Sequence, residues 1–144
     1  MQIRVATQVA QPLQQVKDGF TQELFLKLNP PFPKVKLLRF DGCKKGDFVE
    51  LELNFLLAKQ KWVSEITFDN ETPDRFEFID EGMALPFPFS YWKHHHILIA
   101  SEYGCEVIDQ IDYKAGNKFL SVLLYPLLLL QFIYRKPVYK KVFK

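Results

Sequence analysis

The C-terminal segment, residues 117–144, constrains the fold of this chain more than any other stretch. Between residues 119 and 134 almost every side chain is apolar. A helix that is apolar on all sides is either buried inside a protein or inserted in a membrane. A membrane span needs about 20 apolar residues, whereas this run is shorter, carries Gln131 and is flanked by basic residues. We therefore expect a helix buried in its own domain, with membrane insertion or surface attachment as the alternative.

Two further features of this segment lead to predictions. Pro126 lies inside the apolar run and is expected to break it into a short helix followed by a longer one. The segment ends in a basic cluster, which suits a solvated helix end that complements the helix dipole. Contact with an anionic lipid is the alternative explanation for this cluster. Its members are Arg135, Lys136, Lys140, Lys141 and Lys144.

Composition limits the classes of protein to which this chain can belong. The 144 residues fit one domain, 1–144, and 48% hydrophobic with 25% charged residues indicates a globular chain. A net charge of +2 argues against nucleic acid as a partner. Two cysteines are too few for a disulfide framework, and their spacing does not resemble a metal site. The first residues alternate between polar and apolar and do not resemble a signal peptide, so we expect a cytoplasmic protein with reduced thiols.

Hydrophobic periodicity predicts an α+β fold. Residues 2–9 alternate like a half-buried strand, and residues 13–28 show helical spacing that Gly19 divides into two short helices. Consecutive strands with short turns imply an antiparallel sheet, and its apolar face needs a cover. We expect a curved antiparallel sheet of six to seven strands wrapped around a long C-terminal helix. The later strands are predicted at residues 34–40, 48–57, 62–68, 75–80, 92–101 and 105–114.

A polar constellation is predicted on the last hairpin. Strand alternation places Trp92, His94 and His96 on one face of their strand. If Ala100 lies opposite Cys105, then His96 meets Asp109 on the concave side of the sheet. A buried carboxylate needs a partner, and His96 is the expected one.

Three interpretations of the pair of His96 and Asp109 remain open. It forms a structural polar contact, it anchors the polar group of a bound ligand, or it performs general acid–base catalysis. No nucleophile or oxyanion site accompanies it, and a metal ion on His94 and His96 lacks an evident third ligand. We therefore expect neither a metal nor a cofactor.

Aromatic and aliphatic side chains are expected to line a cavity between sheet and helix, because a half-closed sheet over one helix leaves volume to fill. The alternative is that each of them is an ordinary core residue. Phe87 and Phe89 lie in a Pro-rich apolar connection, residues 82–89, and are candidates for a mouth or lid; the alternative is a loop folded onto the core. The expected lining residues are Trp62, Phe76, Phe78, Trp92, Tyr113, Leu127, Leu130 and Tyr134, with His94, His96, Asp109 and the hydroxyl of Tyr113 as polar handles.

The order of five short motifs resembles the START-related, polyketide cyclase-like superfamily, usually abbreviated SRPBCC. The motifs are FEFID at 76–80, LPF at 85–87, WKHHH at 92–96, VIDQIDY at 107–113 and the pair Tyr134-Arg135. They are most similar to the bacterial cyclase/dehydrase-like branch. This resemblance implies a helix-grip fold that holds a small hydrophobic molecule between a curved sheet and a C-terminal helix. Many members of that branch have no assigned activity, so whether the chain is an enzyme stays open.

Three functions follow as hypotheses. The first is binding of a small hydrophobic molecule or lipid in an internal cavity of this single domain. The second is a cyclase or dehydratase type of enzyme in which His96 and Asp109 move protons. The third is a domain that docks on a membrane surface or a partner through residues 127–134 and the basic end. The sequence predicts neither the ligand nor the oligomeric state.

Overall fold

The structure is a computed structural model that describes residues 1–144. It contains seven strands and three helices in the predicted order, with two short helices directly after the first strand. The elements are β1 (Gln2–Val9), α1 (Leu13–Asp18), α2 (Gln22–Leu28), β2 (Lys34–Phe40), β3 (Phe48–Asn54), β4 (Lys59–Thr72), β5 (Arg75–Ala84), β6 (Phe89–Ser101), β7 (Gly104–Ala115) and α3 (Lys118–Val142).

All seven strands form one curled antiparallel sheet in the order β1-β7-β6-β5-β4-β3-β2, and α3 packs against it. This confirms the predicted helix-grip fold. The register of the last hairpin also agrees with the prediction, since Ala100 lies opposite Cys105 and His96 opposite Asp109. A one-residue slip would have moved every apolar side chain of these strands to the other face, so the hydrophobic pattern specifies this pairing.

Several strand ends differ from the prediction. β5 continues to Ala84 and β6 begins at Phe89, so the expected connection 82–89 is shortened to residues 85–88. β4 continues to Thr72 through most of residues 69–74, which were expected to form a loop, and Pro73 and Asp74 alone separate it from β5. This extension of β4 is exposed to solvent, so backbone pairing holds it and no apolar alternation marks it in the sequence. β3 stops at Asn54 instead of residue 57, because Leu56 adopts a positive φ of 71° in the following turn.

The short helices are set by local signals. Pro12 precedes the first turn of α1, and the side chain of Thr21 accepts a hydrogen bond from the backbone N–H of Leu24 at the start of α2. Gly19 ends α1 as predicted. A Cβ at Gly19 would lie 2.5 Å from the ring of Phe143, so the glycine also permits close approach of the C-terminal end.

α3 is one continuous helix of 25 residues, and the predicted break at Pro126 is wrong. Proline removes one helical hydrogen bond, but packing of the inward face supplies most of the stability of a long helix. This face contains Ser121, Leu128, Phe132 and Tyr139, all of which are buried. It packs on β1, β7 and α2.

The outward face of α3 is exposed, so the expectation that this helix is buried on all sides is wrong. A sheet covers a helix from one direction, and no further element lies over the other side. By length and composition alone α3 could also cross a membrane. The large apolar side chains on the exposed face are Phe119, Val122, Leu123, Leu127, Leu130, Ile133 and Tyr134.

Candidate functional site: a buried cluster of histidine, carboxylate and arginine

Five ionisable side chains meet on the concave face of the sheet, beneath α3. Adjacent strands supply four of them and the helix supplies the fifth. Successive side chains alternate across a strand, so residues two apart face the same side. The members of this polar cluster are Asp80 on β5, His94 and His96 on β6, Asp109 on β7 and Arg135 on α3.

Each histidine is hydrogen-bonded to a different carboxylate. His94 Nε2 lies 2.8 Å from Asp109 Oδ1, and His96 Nε2 lies 2.8 Å from Asp80 Oδ2. The expected pair of His96 and Asp109 is therefore wrong as a hydrogen bond, although the two residues are opposite in register. His96 Nδ1 remains 3.8 Å from Asp109 Oδ1. In both hydrogen bonds the histidine contacts a carboxylate two residues away from its directly paired residue on the neighbouring strand, a distance that long side chains can span.

Aromatic packing fixes the two imidazole rings. They stack on each other with ring centroids 3.6 Å apart and an interplanar angle of 29°. Phe78 stacks on the outer side of His96 at 4.2 Å, and Phe132 meets His94 edge-on at 5.2 Å. The polar atoms are therefore held in place between apolar walls.

α3 contributes a cation and a hydroxyl to the same carboxylate. Arg135 Nη1 donates to Asp109 Oδ1 at 3.3 Å, and the hydroxyl of Tyr139 donates to that oxygen at 3.5 Å. Phe132, Arg135 and Tyr139 are spaced by three and four residues, which places them on one face of the helix. Asp109 is 1% exposed, so these contacts replace the water that a carboxylate normally requires.

The environment shifts the pKa values of the cluster in consistent directions. Burial alone would raise the pKa of Asp109, but the charge of Arg135 and the hydrogen bond of His94 outweigh it and hold this pKa below its usual value. Burial is also the largest influence on Asp80 and would raise its pKa, but the hydrogen bond of His96 together with the charges of the two histidines and Arg135 lowers it. Burial and the neighbouring His96 lower the pKa of His94 to about 4. At neutral pH the two ionised carboxylates therefore outnumber the single guanidinium, with His94 neutral.

Two polar atoms of the cluster are buried without a hydrogen-bond partner. They are Nδ1 of His96 and Nε of Arg135. Buried polar groups are nearly always paired with protein or water, so each exception calls for an explanation. These two atoms mark positions where a water molecule or a polar group of a ligand would be stabilised.

Asp80, His94 and His96 offer one ligand atom each within 4.8 Å of one another. Sequence reasoning found no third ligand because it did not consider Asp80. The lone pair of an imidazole nitrogen lies in the plane of its ring, so two rings stacked at 3.6 Å direct their lone pairs side by side and not toward one ion. Both Nε2 atoms are also engaged by carboxylates. The arrangement therefore fits a hydrogen-bonded cluster better than a metal centre.

The structure brings several predicted site residues together. Phe78, Trp92, His94, His96 and Asp109 all lie in or against the polar cluster. The remaining buried candidates lie nearby. Trp62 packs on Trp92 at 4.9 Å, Phe76 on Phe78 at 5.8 Å, and the hydroxyl of Tyr113 donates to the carbonyl of Ser121 at 2.6 Å.

Four predicted lining residues do not reach this space. Leu127, Leu130 and Tyr134 lie on the outward face of α3, because their helical positions are opposite to those of Leu128 and Phe132. Phe87 is 79% exposed at the tip of its loop. It is therefore not folded onto the core, although the neighbouring Pro86 is buried.

Four residues of the site were missed by sequence reasoning: Asp80, Phe132, Arg135 and Tyr139. A signal existed for each of them. Asp80 is two residues beyond Phe78 and so shares its face of β5. The other three follow from the helical spacing around Leu128, but the expected break at Pro126 and the choice of the opposite face obscured that pattern.

Side chains fill the space between sheet and helix closely. Trp92 stacks on Phe132 with centroids 6.2 Å apart, and Phe20 stacks on Tyr139 at 6.2 Å. Two surface clefts lie elsewhere on the molecule, and none of the predicted ligand-binding residues lines either of them. One, of about 420 Å³, lies between α1 and the turn from β4 to β5, and the other, of about 550 Å³, lies between α2 and the end of α3.

Comparison with solved structures shows the same fold at low sequence identity. The Zhui aromatase/cyclase from Streptomyces sp. R1128 matches with a TM-score of 0.61, 14% identity, 96% of this chain and 95% of that chain. Norcoclaurine synthase from Thalictrum flavum matches with a TM-score of 0.62, 14% identity, 96% of this chain and 86% of that chain. Protein Ms6760 from Mycobacterium smegmatis matches with a TM-score of 0.64, 15% identity, 92% of this chain and 84% of that chain. No protein-family model and no curated protein matches the sequence.

These findings define the class of protein by its fold. The chain has the helix-grip fold of START-related, polyketide cyclase-like proteins, and the resemblance drawn from its motifs is confirmed at that level. Ligand-binding proteins and cyclases share this architecture. Its assignment to the bacterial cyclase/dehydrase-like branch stays a prediction.

Proposed function

We propose that this protein binds a small, mostly apolar molecule or lipid between the concave face of the sheet and α3. The polar cluster anchors the one polar end of that molecule. The observation that carries this proposal is the pair of buried, unpartnered atoms, His96 Nδ1 and Arg135 Nε, beside two buried carboxylates. Apolar binding sites typically use a few placed polar groups of this kind to orient a ligand.

The free energy needed to bury the charged groups of the polar cluster supports a functional role for it. Burying several charges destabilises a fold unless each is well paired, and apolar residues of similar volume are often as stable or more so. Ionisable groups with strongly shifted pKa values concentrate at functional sites for this reason. Norcoclaurine synthase, which shares the fold, was solved with dopamine and hydroxybenzaldehyde, and both are small aromatic molecules that carry phenolic hydroxyl groups.

Charge narrows the class of ligand. The unpartnered N–H of Arg135 Nε needs a hydrogen-bond acceptor, and the two carboxylates beside it disfavour a second anion. His96 Nε2 lies against the carboxylate of Asp80, so a neutral His96 leaves Nδ1 as an acceptor for a ligand donor. A hydroxyl both donates and accepts, so phenols and alcohols with an aromatic or aliphatic body fit this requirement better than a carboxylate, a phosphate or a protonated amine.

Binding requires movement, because aromatic rings occupy the space now. Trp92 and Phe132 close it from the sheet and from the helix, respectively. The exposed outer face of α3 has no element above it, so outward displacement of this helix meets no packed neighbour. A ligand that binds the open form would stabilise it by mass action.

Thermal-shift and native mass-spectrometry screens with aromatic phenols, long-chain alcohols and fatty acids test this proposal. We expect a phenol or alcohol to raise the melting temperature, and His96→Gln to weaken that ligand at least tenfold. His95→Gln is the matched control, because His95 is adjacent on β6 but points to the other face of the sheet. A screen without any stabilising ligand, or equal losses in both variants, would contradict the proposal.

A cyclase or dehydratase type of enzyme is the second candidate. The specific observation in its favour is that His96 Nδ1 is free while Nε2 is held by Asp80, so this ring has one nitrogen available to a substrate proton. The same mass-spectrometry experiment separates the two functions. Dehydration lowers the mass of the bound molecule by one water, and cyclisation without water loss changes only its chromatographic retention. A time-dependent change of either kind that His96→Gln abolishes and His95→Gln retains indicates catalysis, whereas an unchanged ligand indicates binding alone.

A further inference from the structure

Four chain segments lie at the end of the sheet where α3 begins. Strand pairing fixes this arrangement, since Lys34 pairs with Asn54, Val63 with Ala84 and Phe89 with Ala115. The connections at this end are therefore residues 29–33 before β2, 55–58 between β3 and β4, 85–88 between β5 and β6, and 116–117 before α3.

Each of these segments exposes large apolar side chains in itself or in the first turn that follows. Leu57 is 100% exposed, Leu56 83%, Phe87 79%, Phe119 74% and Phe32 55%. We call these five residues the apolar rim. Single exposed apolar residues are ordinary, but a group of them from separate segments at one end marks an interaction surface.

The opposite end of the sheet has a different character. Its connections carry the acidic residues Asp41, Asp47, Asp74 and Glu102, and Tyr103 is the single large apolar side chain exposed in them. Exposure of apolar residues is therefore not a general property of the loops of this protein.

The turn between β3 and β4 presents two leucines where polar residues are usual. Leu56 has a φ of 71°, a conformation that costs free energy for a residue with a Cβ and that glycine or asparagine would adopt more easily. Asn54 Oδ1 accepts the N–H of Leu56 and the carbonyl of Phe55 accepts the N–H of Leu57, so the turn is held in this shape. The side chains of Leu56 and Leu57 are therefore held in contact with water, which is unfavourable for apolar groups.

Charge at this end identifies the surface that the rim fits. Residues 29–34, 55–59, 85–89 and 116–119 contain no acidic residue, and Lys34 and Lys118 lie exposed at the base of the rim. Lys59 is exposed there as well, but its Nζ lies 3.7 Å from Oε1 of Glu52, which offsets part of its charge. A bilayer offers an apolar interior behind an anionic headgroup layer, which complements this pattern. A second copy of the chain would bring lysines against lysines, with no acidic partner in these segments.

We propose that the protein docks on an anionic lipid bilayer with this end first, inserting the apolar rim to the boundary between headgroups and acyl chains. The exposed stripe of α3 starts at Phe119 and continues through Leu123 and Leu127 at helical spacing. One edge of the helix therefore extends the same surface. This docking surface differs from the predicted one, residues 127–134 with the basic end, and it does not depend on the polar cluster.

Co-sedimentation with vesicles tests the proposal, using phosphatidylcholine vesicles with and without phosphatidylserine. We expect binding to be stronger with phosphatidylserine and weaker at high salt. The double variant Leu57→Ser with Phe87→Ser should lower the partition coefficient roughly tenfold or more, because two inserted apolar side chains are lost. Both residues are exposed, so the melting temperature should stay within a few degrees of the wild type.

Tyr103→Ser is the matched control, since it removes one exposed aromatic side chain from the opposite end; it should leave vesicle binding unchanged. Three outcomes would overturn the proposal. In the first, the wild type fails to sediment with phosphatidylserine vesicles. In the second, the rim variant binds these vesicles as well as the wild type does. In the third, analytical ultracentrifugation finds a dimer that the rim variant loses, and the dimer does not bind vesicles. The last result would assign the rim to a second copy of the chain.

Discussion

At the scale of single residues, the polar cluster is a balance between burial and pairing. Asp109 is stable as a buried carboxylate because His94, Arg135 and Tyr139 all direct donors at one of its oxygens. Losing one partner of such a group leaves a buried charge without compensation, which is far more costly than losing an exposed ion pair. Substituting these side chains therefore changes the stability of the protein as well as the binding of any ligand.

The lowered pKa of His94 predicts a pH dependence of stability. Its pKa is about 4 in the folded protein against about 6.5 in an unfolded chain. Between these values the unfolded chain takes up a proton that the folded protein does not. The free energy of unfolding should therefore fall as the pH is lowered from about 6.5 to 4, by up to about 1.4 kcal/mol per pH unit. The titratable groups that face His94 are Asp80, His96 and Asp109, and Arg135 contacts Asp109 from α3.

Urea denaturation between pH 7 and 4.5 measures this dependence. The lowered pKa values of Asp80 and Asp109 act below this window, because a carboxylate with a lowered pKa keeps its stabilising effect until the pH falls below its unfolded value of about 4. The slope of the free energy of unfolding against pH should be smaller in His94→Gln than in the wild type. In His95→Gln the contribution of His94 to this slope should remain. An unchanged slope in His94→Gln would show that this ring titrates normally in the folded protein.

The polar cluster shows which features of single residues can be predicted from the sequence and which cannot. Alternation and register placed His94, His96 and Asp109 on one face correctly. They could not assign the hydrogen bonds, because the choice between a facing and a diagonal partner depends on rotamers set by the stacked rings. Arg135 could have been found from its spacing to Phe132, but a charged residue near a helix end is more often solvated.

At the scale of elements, the sheet followed from the sequence more fully than the helix did. Strand periodicity predicted the order, pairing and register of the last hairpin because each strand has one apolar face. α3 is apolar on both faces, so its composition did not indicate which face packs. The local rule for proline also failed at Pro126, since packing along the inward face of α3 outweighs one missing hydrogen bond.

The continuity of α3 predicts that Pro126→Ala stabilises the protein. Proline inside a helix is about 3 kcal/mol less favourable than alanine, and Pro126 is exposed, so its ring makes little contact that alanine would lose. We expect an increase of about 1–3 kcal/mol in the free energy of unfolding, measured by urea denaturation. Leu127→Ala, next to it on the exposed face, should change stability by less than about 0.5 kcal/mol. A loss of stability in Pro126→Ala would mean that packing of α3 requires the proline.

At the scale of the whole molecule, the polar cluster and the apolar rim have separate roles. The rim lies where α3 begins, and the cluster lies further along the same helix, between it and the sheet. A protein that docks rim-first would hold the start of α3 against the bilayer. Docking and ligand binding therefore use different parts of the molecule, and neither proposal depends on the other.

The measurement that tests the central claim most directly is a crystal structure with the best ligand from the screen. We predict the polar atom of that ligand within hydrogen-bond distance of His96 Nδ1 or Arg135 Nε, with Phe132 or Trp92 moved aside and α3 shifted outward. A ligand found in a surface cleft, such as the one beside Lys27 and Val138, with the rings still stacked over an unchanged cluster, would contradict the claim.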